Sequence, residues 1–352
     1  MTQNQKITDA FNSFTKQMNE SKMEEQRLAI DKAIFIGVGG SRAYGTETIN
    51  SDCDLRGVFI GKRKHYLGLN TIEQVEIKRD DGSNEKDVMM EFRKFVNLAL
   101  ANNPNIIEQL FLKPEHNLLV KQPFQVLIDN RNLFLSKKAK HTYSGYAFSQ
   151  LKRIQGHYNW LENPPTEPKR ENYEVTRYKN KHTGKVIPEN DYDKKQQRIK
   201  ELKIAGNNTE TNHFFENLED WEKIKDVDKN SWNEANTKWE QYNTWRKNRN
   251  ENRALLEKKY LYDVKHASHL VRLLLQGKQI LEEQTLNTYL RPIDMQMVND
   301  VRNGSLKYQE LIAWADNMDK TLTKLYETST LRHVPDKDTI EQICVNILYS
   351  CI

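Results

Sequence analysis

Residues 35–60 read FIGVGGSRAYGTETINSDCDLRGVFI, and the reading of this stretch decides the fold. It starts and ends in short apolar runs of strand character. Between them lie a glycine pair, Ser41 and, after ten intervening residues, Asp52-Cys53-Asp54. A glycine pair before a serine lets backbone amides approach a phosphate and adopts uncommon backbone angles at little cost. A helix beginning near Ser41 would aim its unpaired N–H groups at the same anion. Asp52 and Asp54 are separated by one residue on an extended segment, so both carboxylates project from one face and Cys53 turns to the other, into a small buried role. Two hard oxygen ligands on one face suit Mg2+, with Mn2+ as a substitute, and a third acid from a neighbouring strand would complete a two-metal site.

Downstream residues supply the third acid. Strands are expected at Ala33–Val38 and Leu55–Ile60, with a short strand inside TIEQVEIKR and a turn at Asp81-Gly82-Ser83. Asp87-Val88-Met89-Met90 reads as a further strand running into a helix, EFRKFVNLALAN, in which Phe92, Phe95, Val96, Leu98 and Ala99 share one face. Asp87 opens that strand and is the natural third carboxylate. Glu91 replaces it if the strand is shorter, and Glu85 lies on its other side. Asn103 before Pro104 caps the next helix.

The order of elements argues for an N-terminal helix over residues 1–28 and a small α/β domain over 29–120. Residues 121–352 follow as a mainly helical region, with a polar, lysine-rich insertion at about 162–235 that reads as extended. Within the helical region, ALLEKKYLYDVKHASHLVRLLLQGKQIL is the strongest helix candidate. Leu261, Val264, Ser268, Val271 and Leu275 line one side of it, and Tyr262, Lys265, His269, Arg272 and Gln276 form a polar stripe on another. Lys265, His266, His269 and Arg272 are candidates to meet a triphosphate or an RNA phosphate; a solvated helix face is the plain alternative. A zinc reading of Asp263, His266 and His269 is set aside, because they spread about 120° around a helix and lack a fourth ligand.

Composition bounds the rest. The chain has 352 residues, 37% hydrophobic and 29% charged, with a net charge of +5 that suits a polyanionic partner without demanding one. Cys53, Cys344 and Cys351 have neither metal-ligand spacing nor an even disulfide framework, so reduced thiols in a cytoplasmic protein are expected. No signal peptide and no membrane span is expected. The tracts YKNKHTGK, KKQQRIK and TWRKNRNENR mix basic and aromatic residues in a way that suits RNA backbone contact and base stacking. The oligomeric state is not legible.

Gly40-Ser41 followed by Asp52-Cys53-Asp54 resembles the signature of the DNA polymerase β nucleotidyltransferase superfamily. DVMMEFRKFVNLALANNPNIIEQLF, and later YDVKHASHLVRLLLQGKQIL and VRNG, resemble the RNA-ligase-associated, polymerase-β-like nucleotidyltransferases of bacteria and phages, which are linked to RNA repair. The likeness covers about residues 30–118, 141–170 and 236–315. It implies an α/β (α+β) nucleotidyltransferase domain with a small mixed sheet, then a mainly α-helical C-terminal domain that walls the cleft. It also implies a bacterial or phage-infected host cytoplasm. Carried over, Gly40 and Ser41, with Gly39 beside them, would hold the β- and γ-phosphates of ATP or another nucleoside triphosphate; Arg42, next in the chain, is a candidate triphosphate contact, with a surface arginine as the plain alternative. Asp52, Asp54 and Asp87 would bind two metals, and Asp87 would help deprotonate the acceptor hydroxyl. The expected reaction is transfer of a nucleoside monophosphate to a hydroxyl, RNA being the leading acceptor, with pyrophosphate released. Transfer to a protein or small molecule is the first alternative, and a nucleotide- or RNA-binding module without catalysis the second.

Overall fold

Strand β1 (Ala33–Gly39) is buried at every position, as a central strand covered on both faces must be. It pairs antiparallel with β2 (Asp54–Phe59) on one side and with β5 (Asn117–Val120) on the other. β2 pairs in parallel with β4 (Lys86–Glu91), and β3 (Gln74–Lys78) closes the far edge antiparallel to β4. The result is a five-stranded mixed sheet in the order β3-β4-β2-β1-β5. The computed structural model describes residues 3–49, 51–79, 86–204, 218–249 and 251–352. The Asp81-Gly82-Ser83 turn and Glu85 lie outside the described residues.

Alternation along the strands divides the apolar side chains between two cores. Ile36, Val38, Leu55, Phe59, Val75 and Met89 meet Phe14 and Met18 of the Gln3–Glu20 helix and Ala29 of the Glu24–Asp31 helix. On the other face, Phe35 and Val58 join Phe92, Phe95, Ile107 and Phe124, and the same core runs on to Leu270, Leu274, Leu311 and Leu322 of the C-terminal helices. Each such fully buried side chain contributes about 1.5–3 kcal/mol. The sequence-derived strands and the Phe92–Leu100 helix are present, and Asn103 caps the Pro104–Leu110 helix by accepting from Asn105 N–H at 3.1 Å. β5 has no counterpart in the sequence reading, because its four residues form a short edge strand without clear alternation.

The chain forms two compact units, one of Met1–Tyr158 with Leu255–Ile352 and one of Asn159–Ala254. The latter corrects the expectation of an extended insertion. β6 (Glu174–Asn180), β7 (Val186–Pro188) and β8 (Trp221–Val227) form an antiparallel sheet, and Tyr178 stacks on Tyr192 with ring centroids 3.6 Å apart. Tyr192, Ile187 and Trp221 give this unit its small core. No helix among the described residues is long and apolar enough to cross a membrane.

The long helix expected across residues 254–281 is two helices, Glu251–Tyr260 and Val264–Glu283. Leu261 breaks it with φ +66°, and Asp263 restarts it by accepting from the N–H groups of Lys265 and His266 at 2.8 and 3.1 Å. The expected faces change accordingly. Leu261 is exposed, while Tyr262, Arg272 and Gln276 of the presumed polar stripe are buried.

Candidate active site

The three predicted aspartates arrive from two adjacent parallel strands and the segment leading into one of them. Asp54 opens β2 and Asp87 sits near the start of β4, with Arg56 level with Val88. Asp87 lies beside Leu55 and accepts its N–H at 2.9 Å. Asp52 stands on the segment entering β2. The carboxylates converge on one guanidinium. Arg79, just beyond β3, sets Nη2 at 2.8 Å from Asp87 Oδ1 and 3.0 Å from Asp54 Oδ1, and Nη1 at 3.5 Å from Asp52 Oδ2. Its Nε reaches both Asp87 oxygens at 3.2 Å. Burial alone would push the Arg79 pKa down, but the hydrogen bonds and charges of Asp87 and Asp54 hold it above its ordinary value. All three carboxylates thus contact one and the same guanidinium.

Glu91 is elsewhere. It sits at the other end of β4, level with Phe59, about 13 Å along the strand from Asp87. There it caps the Phe92–Leu100 helix through the N–H groups of Arg93 and Lys94 and accepts from Tyr66 Oη at 2.5 Å. The structure therefore groups Asp87, not Glu91, with Asp52 and Asp54.

The glycine loop is set by the same carboxylates. Gly40 has φ +64°, and a Cβ there would overlap Asp54 Oδ2, so only glycine fits both the backbone and its neighbour. Gly39 ends β1 opposite Asp54, and Gly40 and Ser41 begin the five-residue helix Gly40–Tyr44. Arg42, a candidate triphosphate contact in the sequence, turns onto the backbone. It is buried, and its Nε and Nη2 donate to the carbonyls of Asp52 and Ser51 at 2.8 and 2.7 Å, which pins the segment carrying the first aspartate. Cys53 faces the core as alternation predicts, and burial pushes its thiol up to about 11.

Two strand-borne aspartates and Asp52 thus stand beside the glycine-serine loop. Residues 5–173 match the model of RlaP, the RNA repair pathway DNA polymerase beta family. This match spans the sheet, the loop and the three aspartates, 169 of the chain's 352 residues. The fold class expected from the sequence, a mixed α/β region followed by helices, is the one observed. A crystal structure of a nucleotidyltransferase-like protein from Exiguobacterium sibiricum 255-15 overlaps the chain at 10% identity, covering 89% of this chain and 74% of that one, with a TM-score of 0.26. No curated protein matches the chain.

Beyond the RlaP match, C-terminal helices close over the loop. Leu290 N–H donates to Tyr44 O at 3.1 Å, and Arg302 Nη1 donates to Thr46 O. Gly45, at φ +75°, leaves the space that Tyr289 and Met295 fill. Arg272 lies 3.9 Å above the Tyr44 ring and 3.2 Å from Glu108 Oε2, with both charged side chains 5% exposed. Tyr44 Oη donates to both Glu108 oxygens at 3.0 and 2.9 Å, and Arg272 Nη1 donates to Gln276 Oε1 at 2.8 Å. Burial raises the Glu108 pKa, against the opposing charge of Arg272. Arg272, a candidate phosphate contact in the sequence, thus reaches the loop from within the core and is paired there. Lys265 is exposed in the first turn of the same helix, and His269 is half-buried one turn before Arg272.

A second group of candidate ligands lies away from the sheet. One ligand atom each from His157, Glu257 and Asp263 fall within 4.8 Å of one another. His157 Nδ1 is 3.3 Å from Glu257 Oε1, and His266 Nε2 is 3.6 Å from Asp263 Oδ2. Sequence reasoning named Asp263 and His266 but missed the partners that tertiary packing brings from 106 and 6 residues away in the chain, respectively, counting from Asp263 to His157 and to Glu257. It also missed Arg79, whose only signal was its place just before a turn.

Proposed function

We propose that this protein is a metal-dependent nucleotidyltransferase that moves a nucleoside monophosphate from a nucleoside triphosphate to a hydroxyl, with an RNA end as the acceptor. The observation that carries this reading is the convergence of Asp52, from the segment before β2, with Asp54 and Asp87, from two parallel strands, about a single positive charge beside the Gly40-Ser41 loop. RNA is favoured over other acceptors because the matching family belongs to an RNA repair pathway.

Asp52, Asp54 and Asp87 would hold the divalent ions, which supply activation of the hydroxyl and stabilisation of charge on the transferring phosphoryl group. Gly40 and Ser41 would carry the β- and γ-phosphates on the loop. Asp87, tied to Leu55 N–H through one oxygen, would face the acceptor and take its proton. Arg42 would set the position of Asp52 from behind. Most of the rate enhancement would come from placing the acceptor oxygen in line with the α-phosphorus.

Incubation with α-labelled nucleoside triphosphates, Mg2+ or Mn2+, and RNA, DNA or protein tests the reading. Label joined to RNA and lost in Asp54→Asn is the expected result. Label on a protein or small molecule redirects the acceptor, and triphosphate binding without transfer to anything identifies a binding module.

A further inference from the structure

Arg79 holds the very oxygen atoms that a divalent ion would need. Its guanidinium lies within 3.5 Å of a carboxylate oxygen on Asp52, 3.0 Å on Asp54 and 2.8 Å on Asp87, and its side chain is 10% exposed. Mg2+ binds oxygen at about 2.0–2.1 Å in a near-octahedral shell that usually includes waters. An ion so placed on Asp54 and Asp87 would overlap the Nη2 group that both carboxylates share, so the two cations exclude one another there. Electrostatics gives the same answer, since a guanidinium and a divalent ion a few ångströms apart repel in a partly dehydrated site. Arg79 is attached where such an exchange is feasible. It follows the last residue of edge strand β3, whose register with β4 ends at the Lys78–Lys86 pair, and its long side chain has rotamers that leave the cluster.

We propose that Arg79 is a built-in counter-ion that competes with divalent metal for Asp52, Asp54 and Asp87, so that metal loading and release of the Arg79 side chain are one coupled event. This rests on the reading of the three aspartates as the metal site. The competition raises the metal concentration the site requires, because ligands that exclude one another weaken each other's binding by the same factor. A purely structural Arg79, fastening β3 to the aspartates, predicts the opposite: its loss would loosen the cluster and weaken metal binding.

Titration of the full-length protein with Mn2+, followed by the electron paramagnetic resonance signal of the free ion, separates these cases. Arg79→Gln is expected to bind Mn2+ about ten-fold more tightly than wild type, and Asp87→Asn to lose that binding in either background. Equal or weaker binding by Arg79→Gln, with Asp87→Asn still abolishing it, overturns the counter-ion proposal and leaves the metal-site reading intact. Binding that is indifferent to Asp87→Asn overturns both. The wild-type chain supplies a readout that survives any folding defect of the variant. Phenylglyoxal modification of Arg79, quantified by mass spectrometry, is expected to rise several-fold when Mn2+ saturates the site, and modification unchanged by saturating Mn2+ rejects the exchange.

Discussion

Arg272 and Glu108 form an ion pair at 3.2 Å with each side chain only 5% exposed, and the Tyr44 ring lies directly against the arginine. One contact thus joins the C-terminal helices to the residue that ends the Gly40–Tyr44 helix. Removing one member leaves the other charge buried without its counter-ion. Arg272→Ala is expected to lose about 3–5 kcal/mol of stability, measured by urea denaturation, and Arg272→Met/Glu108→Gln to recover most of the loss.

The same pair makes a pH prediction. Burial raises the folded-state pKa of Glu108, so this carboxyl binds its proton more tightly in the folded chain than in the unfolded one. Its contribution to stability is therefore greatest below the unfolded carboxylate value and falls as pH rises through the folded value. Urea melts of wild type and Glu108→Gln across the acid-to-neutral range should show the difference moving in favour of the glutamine variant as pH rises. A difference that is flat with pH rejects the assignment.

Asp87 and Glu91 separate a site residue from a structural one. Asp87→Asn retains an acceptor for Leu55 N–H and should fold normally, while transfer falls by at least about 10²-fold, the scale of losing one charge-stabilising group. Glu91→Ala should cost about 1 kcal/mol through the lost helix cap and leave transfer largely in place. Single-turnover assays beside thermal melts check both.

Gly40→Ala combines two penalties. The left-handed backbone costs about 1–2 kcal/mol for a residue with a Cβ, and the new methyl displaces the Asp54 carboxylate. Transfer should fall more steeply than stability, as read from paired activity and melting measurements.

Cysteine chemistry offers a check that is independent of activity. Burial pushes Cys53 up to about 11 and Cys344 up to about 12, whereas Cys351 is exposed. The thiolate is the reacting species, so iodoacetamide at pH 8 should alkylate Cys351 first, with Cys53 and Cys344 following only on unfolding. Peptide mass spectrometry of a time course reads the order.

Local chemistry made part of this molecule readable before folding. Gly40-Ser41, the Asp-x-Asp alternation, the strands around them and the Asn103-Pro104 helix start depend on neighbours within a few residues, and each is where the sequence placed it. Asp263 as a helix cap is equally local, since it accepts from the N–H groups of Lys265 and His266 two and three residues on. The choice between Asp87 and Glu91 was different, since both lie on β4 and only its parallel register with β2 decides which one stands beside Asp54.

The sequence by itself determined the residue types and spacings of the loop and the aspartates, because backbone alternation and glycine stereochemistry act over a few bonds. Only the tertiary structure decided where the cations lie. Arg79 reaches the aspartates from β3 across β4, Arg42 turns back onto the carbonyls of Ser51 and Asp52, and Arg272 meets Glu108 from 164 residues away. Charge alone does not tell an arginine that meets a ligand from one that neutralises a buried carboxylate. Burial draws these side chains to partners within the fold, because a charge withdrawn from water must find one there.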